Sequence, residues 1–325
     1  MIVLGIESTA HTFGVSVIRE KQVLSNERKA FTTQEGGMIP AKVAQHHVQW
    51  CDTVVKNALE KAGVTMKDID LVAFSQSPGL GNCLRIGAVA ARSLALIYDK
   101  PIIGVNHCVA HLEVGKMQTD VKDPVLLYAS GANTQVIALE GGKYRVFGET
   151  LDTGIGNFLD TLARNMKLGF PGGPKIEALA TKGKNLIELP YSVKGMDVSF
   201  SGILTNLTRM FEKNQASKED IAFSAQEYAF AALVEVSERA LAHTGKKELL
   251  LGGGVACNKR LQEMCRSMCE ARGAKCYVLE NQFNVDNAAM IAWLGLLEFR
   301  AGKRQKIEET AIDPYLRTDE VEVSW

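Results

Sequence analysis

Two histidines four residues apart, His107 and His111, lie in the stretch GVNHCVAHLEVG of a chain with only six histidines. Residues at i and i+4 share one helical face, so both imidazoles can reach a single ion. The apolar run just before them, Pro101 to Val105, reads as a buried strand, which places the pair where a strand ends and a helix begins. The zinc-protease pattern His-Glu-x-x-His is absent, because Glu113 follows His111. Taken alone the spacing reads by default as a coincidence on a helix surface; its place after a buried strand, facing a cleft, strengthens the case for a metal. His46 and His47 are adjacent instead, diverge by about 100° on a helix, and read as a partly exposed helix face.

Two histidines need further donors. Asp286, in FNVDNAAMIAW, stands at the start of the last predicted helix, where aspartate serves equally well as an N-cap. Tyr128, in LLYASGANTQ, ends a strand, a place where tyrosine ordinarily belongs to the core. Glycine-rich turns form a second constellation: SGANTQ over 130–135, GGG over 252–254 and GFPGGPKIEAL over 169–179. Such turns let a ligand approach the backbone, and helix N-termini favour anions. Asp160 and Glu177, near the Gly172-Gly173 turn, suit the hydroxyls of a ribose. Together the turns favour a nucleotide. GIESTA is the matching turn near the start, with Glu7 as a candidate acid–base group in the cleft.

The elements that must position these residues fall into two similar series. Strands are expected at 2–6, 13–18 and 22–26, a helix at 40–62, a strand at 71–75, a helix at 84–98 and a strand at 101–105. The second series runs through strands at 125–129, 134–139 and 143–147 and helices at 156–166, 175–182 and 218–243. A strand at 248–252, a helix at 258–271, a strand at 275–279 and a helix at 286–300 complete it. Two β-β-β-α-β-α halves, 1–123 and 124–325, predict the duplicated α/β fold of actin, sugar kinases and chaperone ATPases. Ligands of open α/β sheets sit beyond the strands' carboxyl ends, which here means the cleft between halves.

The 325 residues are 46% hydrophobic, and 37 Lys plus Arg balance 37 Asp plus Glu. That balance excludes a large basic field for non-specific nucleic-acid binding and leaves room only for local patches such as FRAGKRQK at 299–306. No apolar run is long enough to span a bilayer, and the start lacks a secretory leader. The seven cysteines, an odd number, read as reduced thiols of a cytoplasmic protein.

The ordered motifs GIESTA, SPGLGNCLRIG, GVNHCVAH, SGANTQ, PGGPKIEALA, FSGILT, GGGVACNKRL and DNAAMIAW resemble the tRNA N6-adenosine threonylcarbamoyltransferase family from end to end. The His-Cys-x-x-His block followed by LEVG is similar to the archaeal and eukaryotic branch, the catalytic subunit of the KEOPS complex. The resemblance implies an ATPase-type fold and transfer of threonylcarbamoyl from threonylcarbamoyl-AMP to N6 of the adenosine beside the anticodon, in tRNAs reading codons that start with A. It implies an iron ion, or zinc, on His107, His111, Tyr128 and Asp286. Tyr128, Ala129, Ser130, Gly131 and Ala132 would line the substrate. Asp160, Gly173, Glu177 and Asn258 would hold the nucleotide of ATP or threonylcarbamoyl-AMP. Implied partners are tRNA, a separate small kinase or ATPase subunit, other KEOPS subunits and a separate synthase for the donor. Two positions depart from the family pattern: Ala132 stands where a second glycine is usual, and Cys257 precedes Asn258. The rival readings are a small-molecule kinase or ATPase of the same fold and a non-catalytic scaffold.

Overall fold

The computed structural model describes residues 1–34 and 38–325. Its first half comprises β1 (Ile2–Glu7), β2 (Thr12–Arg19), β3 (Gln22–Ala30), α1 (Pro40–Ala62), β4 (Leu71–Ser77), α2 (Gly81–Tyr98), β5 (Ile102–Asn106) and α3 (His107–Gln118). The second begins with β6 (Val125–Ala129), β7 (Thr134–Glu140), β8 (Lys143–Glu149), α4 (Ile155–Asn165) and α5 (Gly173–Ala180). A short hairpin, β9 (Val193–Lys194) with β10 (Asp197–Val198), leads to α6 (Ser201–Glu212) and α7 (Lys218–Thr244). The chain continues through β11 (Glu248–Gly252), α8 (Lys259–Ala271), β12 (Lys275–Val278), α9 (Asn281–Asn284) and α10 (Ala288–Arg300).

The two sheets have one topology. The first is ordered β3-β2-β1-β4-β5 and the second, read from its far edge, β8-β7-β6-β11-β12. In each the first three strands are antiparallel and the last two join in parallel. The duplicated fold expected from the sequence is therefore present.

The layers explain how the chain brings distant residues together. Helices α1 and α2 cover the outer face of the first sheet, and α4 to α8 cover that of the second. Between the sheets lie α3 and α10, in one core with Val105 and Ala73 of the first sheet and Leu126, Tyr128 and Leu250 of the second. Helices buried on all sides must be apolar all round, as in AAMIAWLGLLEFR of α10. α10 packs on β1, β4 and α3 although it comes late in the chain. It approaches so closely that a Cβ on Gly5 would lie 2.7 Å from the Ala292 nitrogen and 2.9 Å from its Cβ. The C-terminal segment then bridges both sheet edges, pairing Gln305 with Ile102 and Glu322 with Lys143.

Several details differ from expectation. β3 extends to Ala30 because pairing with β2 carries the polar residues Glu27, Arg28 and Lys29 into the sheet. α6 and the β9–β10 hairpin were not expected: SGILTNLTRMFE has a glycine, an asparagine and two threonines that weaken helix propensity. His47 is buried rather than on an exposed face, packed against Phe13 with ring centroids 5.6 Å apart. Among the described residues no helix is long and apolar enough to cross a membrane.

Candidate metal and nucleotide site

The site starts at the β5–α3 junction. Asn106 caps α3 by accepting a hydrogen bond from the Val109 amide at 3.1 Å, so the helix begins at His107, where β5 ends. One turn later His111 stacks beside His107 with ring centroids 4.8 Å apart and planes at 82°. Asp286 reaches both: its Oδ1 lies 3.4 Å from His107 Nε2 and 3.5 Å from His111 Nε2. One ligand atom from each of the three residues falls within 4.8 Å of the others. Asp286 is not a helix cap. Asn287 takes that role, accepting from Met290 N at 3.1 Å, which leaves the aspartate carboxylate for the histidines.

Behind His107 stands Glu7, fully buried at the end of β1. His107 Nδ1 donates to Glu7 Oε2 at 2.9 Å. Glu7 Oε1 accepts from the Thr9 amide at 2.6 Å and the Thr9 hydroxyl at 2.5 Å. This bond puts a proton on Nδ1 and aims Nε2 at Asp286, the outer support typical of a metal-binding histidine. Glu7 is thus placed to orient His107, its oxygens engaged rather than turned to an open cleft. Thr9, which completes the arrangement, gave no sequence signal beyond its place in GIESTA.

The charges fit a cation site. Burial opposes a charged His107, but the Glu7 and Asp286 carboxylates outweigh it and hold its pKa well above the ordinary histidine value. Burial raises the Asp286 pKa, yet the contacts of His107 and His111 overcome that and keep it well below the usual carboxylate range. Burial lowers the pKa of His111, against the pull of Asp286. Both His111 ring nitrogens are buried and, among the described residues, have no hydrogen-bond partner. An orphaned imidazole facing a carboxylate and a second imidazole is costly unless something is held there. The donor set fits iron or zinc better than magnesium. Tyr128 lies against His111 at 5.1 Å between ring centroids, and burial pushes its hydroxyl well above the usual tyrosine range.

From Tyr128 the chain enters the SGANT turn. Ser130 N and Oγ both donate to the Asn133 carbonyl, at 2.9 and 3.1 Å. The Ser130 and Gly131 carbonyls accept from Gly156 and Asn157 N at the start of α4, each at 2.9 Å. This fixes the turn on α4 and leaves Gly131 and Ala132 exposed, while Ala129 is buried. Beside it Gly253, at φ +90°, lies so close to the Ala129 carbonyl that no side chain would fit.

The proposed nucleotide residues gather around α4, α5 and α8. Asp160 on α4 accepts from Gly172 N at 2.6 Å, just ahead of Gly173 at the start of α5. Burial raises the Asp160 pKa against the opposing Gly172 amide and the His11 ring. Glu177 on α5 accepts from Lys259 N at 2.9 Å at the start of α8. Asn258 caps α8 through its Oδ1 and donates Nδ2 to Gln226 at 2.6 Å, so its side chain is already committed to the protein. The Cys257 thiol is half-buried with a pKa pushed up to about 11, which leaves it a protonated, poor nucleophile. A separate hollow of about 420 Å³ is lined by Ser201, Gly202, Thr205, Asn206 and Arg209, none of which belongs to this set.

Residues 22–293 match the family model described as tRNA N6-adenosine threonylcarbamoyltransferase. The protein of that name from Thermococcus kodakarensis is 59% identical over 325 residues, covering 100% of both chains. A Methanosarcina mazei protein named probable bifunctional tRNA threonylcarbamoyladenosine biosynthesis protein is 52% identical over 326 residues, spanning 99% of this chain and 59% of its own length. Among solved structures, HypF from T. kodakarensis aligns with a TM-score of 0.59 at 16% identity, over 91% of this chain and 47% of its own; at that identity the likeness concerns the fold.

Proposed function

The chain belongs to the tRNA N6-adenosine threonylcarbamoyltransferase family, and from that premise we propose that it is a metal-dependent enzyme whose donor is threonylcarbamoyl-AMP. Its acceptor is N6 of the adenosine beside the anticodon in tRNAs that read codons beginning with A. The observation that carries the metal dependence is the convergence of His107, His111 and Asp286, with neither His111 ring nitrogen hydrogen-bonded among the described residues. Iron is the favoured ion and zinc the second choice, with Tyr128 as a fourth ligand once its hydroxyl loses its proton. When bound, the ion supplies Lewis acidity toward the oxygens of the donor.

The protein's own residues do the rest. Glu7, steadied by Thr9, orients His107; holding a cation requires His107 to give up its Nε2 proton. Asp160 and Glu177 offer carboxylates to the ribose hydroxyls. The exposed backbone of Gly131 and Ala132 lines the path between nucleotide and metal. Adenine N6 is a weak nucleophile, its lone pair delocalised into the ring, so fixing donor and acceptor together supplies much of the acceleration.

The neutral net charge supports shared tRNA binding, with KEOPS-type partners supplying cationic surface. A homologous segment makes up 59% of the bifunctional M. mazei protein, which supports working association with a second activity; a small kinase or ATPase subunit is that partner in this reading. The site of action is the cytoplasm, where tRNA and the separate donor synthase meet the enzyme.

The test is reconstitution from radiolabelled threonine, bicarbonate, ATP, a donor-forming synthase, partner subunits and tRNA. Label should enter tRNA, stop with chelator and return on adding iron or zinc. Incorporation that ignores both chelator and His111→Ala would overturn the metal-dependent mechanism.

A further inference from the structure

Four of the six histidines, His11, His46, His47 and His243, lie outside the metal cluster. Of these, His11 has the position that calls for explanation. It follows Glu7 and Thr9 by four and two residues in the β1–β2 turn, the same turn that anchors His107. On its other side His11 meets Phe170 of the second half, edge-on, with ring centroids 5.7 Å apart. Phe170 lies two residues before Gly172, whose amide holds Asp160. Mutual hydrogen bonds between Thr33 and Phe170, at 3.3 and 3.1 Å, fasten this strip of the second half to the first.

Those contacts set His11 between the residues assigned to the ribose and those assigned to the metal. Its ring is half-buried, and among the described residues its nitrogens take part in no hydrogen bond, while its backbone carbonyl is used by the Phe31 amide at 2.8 Å. The His11 ring also lies near enough to act on Asp160 and Asp286, favouring the ionised carboxylate in each case behind the larger effects of burial and closer contacts. One side chain near both ends of the site has a restricted choice of ligand group. In an acyl adenylate, the group between the ribose and the reacting carbonyl is the phosphate.

Resting on the donor assignment above, we propose that His11 hydrogen-bonds the nucleotide's α-phosphate and stabilises the departing AMP. In the transfer, N6 forms a bond to the carbamoyl carbon while that carbon's bond to the phosphate oxygen breaks. The electron pair stays on the AMP oxygen, and the N6 proton passes to solvent. His11 keeps its proton and donates a hydrogen bond to the phosphate oxygens, on which charge grows as AMP departs. Either neutral tautomer, like the cation, provides such a donor.

The test separates phosphate from nucleoside. AMP and adenosine are titrated calorimetrically into the full chain, into His11→Leu, which has no donor, and into His11→Gln, which restores an N–H. Thermal melts confirm that all three fold. A hydrogen bond to a charged phosphate predicts that His11→Leu weakens AMP by about 10- to 100-fold. Adenosine should be unchanged, and His11→Gln should recover part of the loss. In transfer assays kcat should fall with the KM for tRNA unaltered. Equal weakening of AMP and adenosine, or unchanged AMP, overturns the proposal. If AMP selectivity follows His11 while even the wild-type complex transfers no threonylcarbamoyl, the phosphate subsite stands and the donor assignment fails.

Discussion

Two pairs of histidines in this protein begin from similar chemistry and end differently. His46 and His47 on α1 and His107 and His111 on α3 both include a buried ring, His47 and His111, with no hydrogen-bond partner at either nitrogen among the described residues. Adjacent residues on a helix point apart: His46 packs against Phe31 and His47 against Phe13. Residues four apart point together, and Asp286 arrives from another part of the chain to face both. Burial and a missing partner are therefore common to both pairs; what sets His107 and His111 apart is their convergence on Asp286. Burial, reinforced by the neighbouring His46 ring, holds His47 neutral and lowers its pKa to about 4. The Glu7 and Asp286 carboxylates do the reverse for His107.

The strongest way to break the contrast is to remove a ligand from one pair and a ring from the other. His111→Ala should abolish stoichiometric iron or zinc in purified protein and lower threonylcarbamoyl transfer by more than the about 10- to 100-fold typical of losing an outer support. His47→Leu should retain both. Metal analysis beside the transfer assay reads the result. Glu7→Gln tests the support itself: metal affinity should fall by about 10- to 100-fold, measured by competition with a chromophoric chelator, while the fold remains.

His47 offers a pH signature. Its folded pKa is about 4 against an ordinary value of 6.5, so between these values the unfolded chain binds a proton that the folded chain refuses. Stability is full above pH 6.5 and declines as the pH falls toward 4, by about 3 kcal/mol for that shift. In His47→Leu that portion of the decline should vanish, as denaturant melts at pH 7 and pH 4.5 would register. Gly5→Ala sharpens the contrast from the other side. The added methyl meets the α10 backbone where β1, carrying Glu7, lies against the helix that follows Asp286. It should cost about 1–3 kcal/mol and weaken metal binding as well, whereas His47→Leu changes stability alone. Melting and metal titration of the two variants give the comparison.

The histidine pair, the duplicated strand order and most helices could be read from the sequence because each rests on local periodicity. What escaped rests on contacts between distant segments. Asp286 and Asn287 are equally good caps by type, and only the placement of α10 against the first sheet shows that Asn287 caps the helix while Asp286 faces the histidines. Tyr128 looks like a core residue until β6 is seen to end against His111. Thr9 and the orienting use of Glu7 depend on β1 ending beside the start of α3. The burial of His47 follows from how α1 seats on β2, which helical spacing alone does not specify. α6 escaped because its tertiary packing, through Ile203 and Leu207, outweighs weak propensity.

Whether one ion sits on His107, His111 and Asp286 is read by anomalous X-ray scattering at the iron and zinc edges from crystals of metal-loaded protein. One peak per chain is predicted, about 2.0–2.2 Å from His107 Nε2, His111 Nε2 and an Asp286 oxygen. A fully loaded protein whose peak lies away from these three residues would contradict the account.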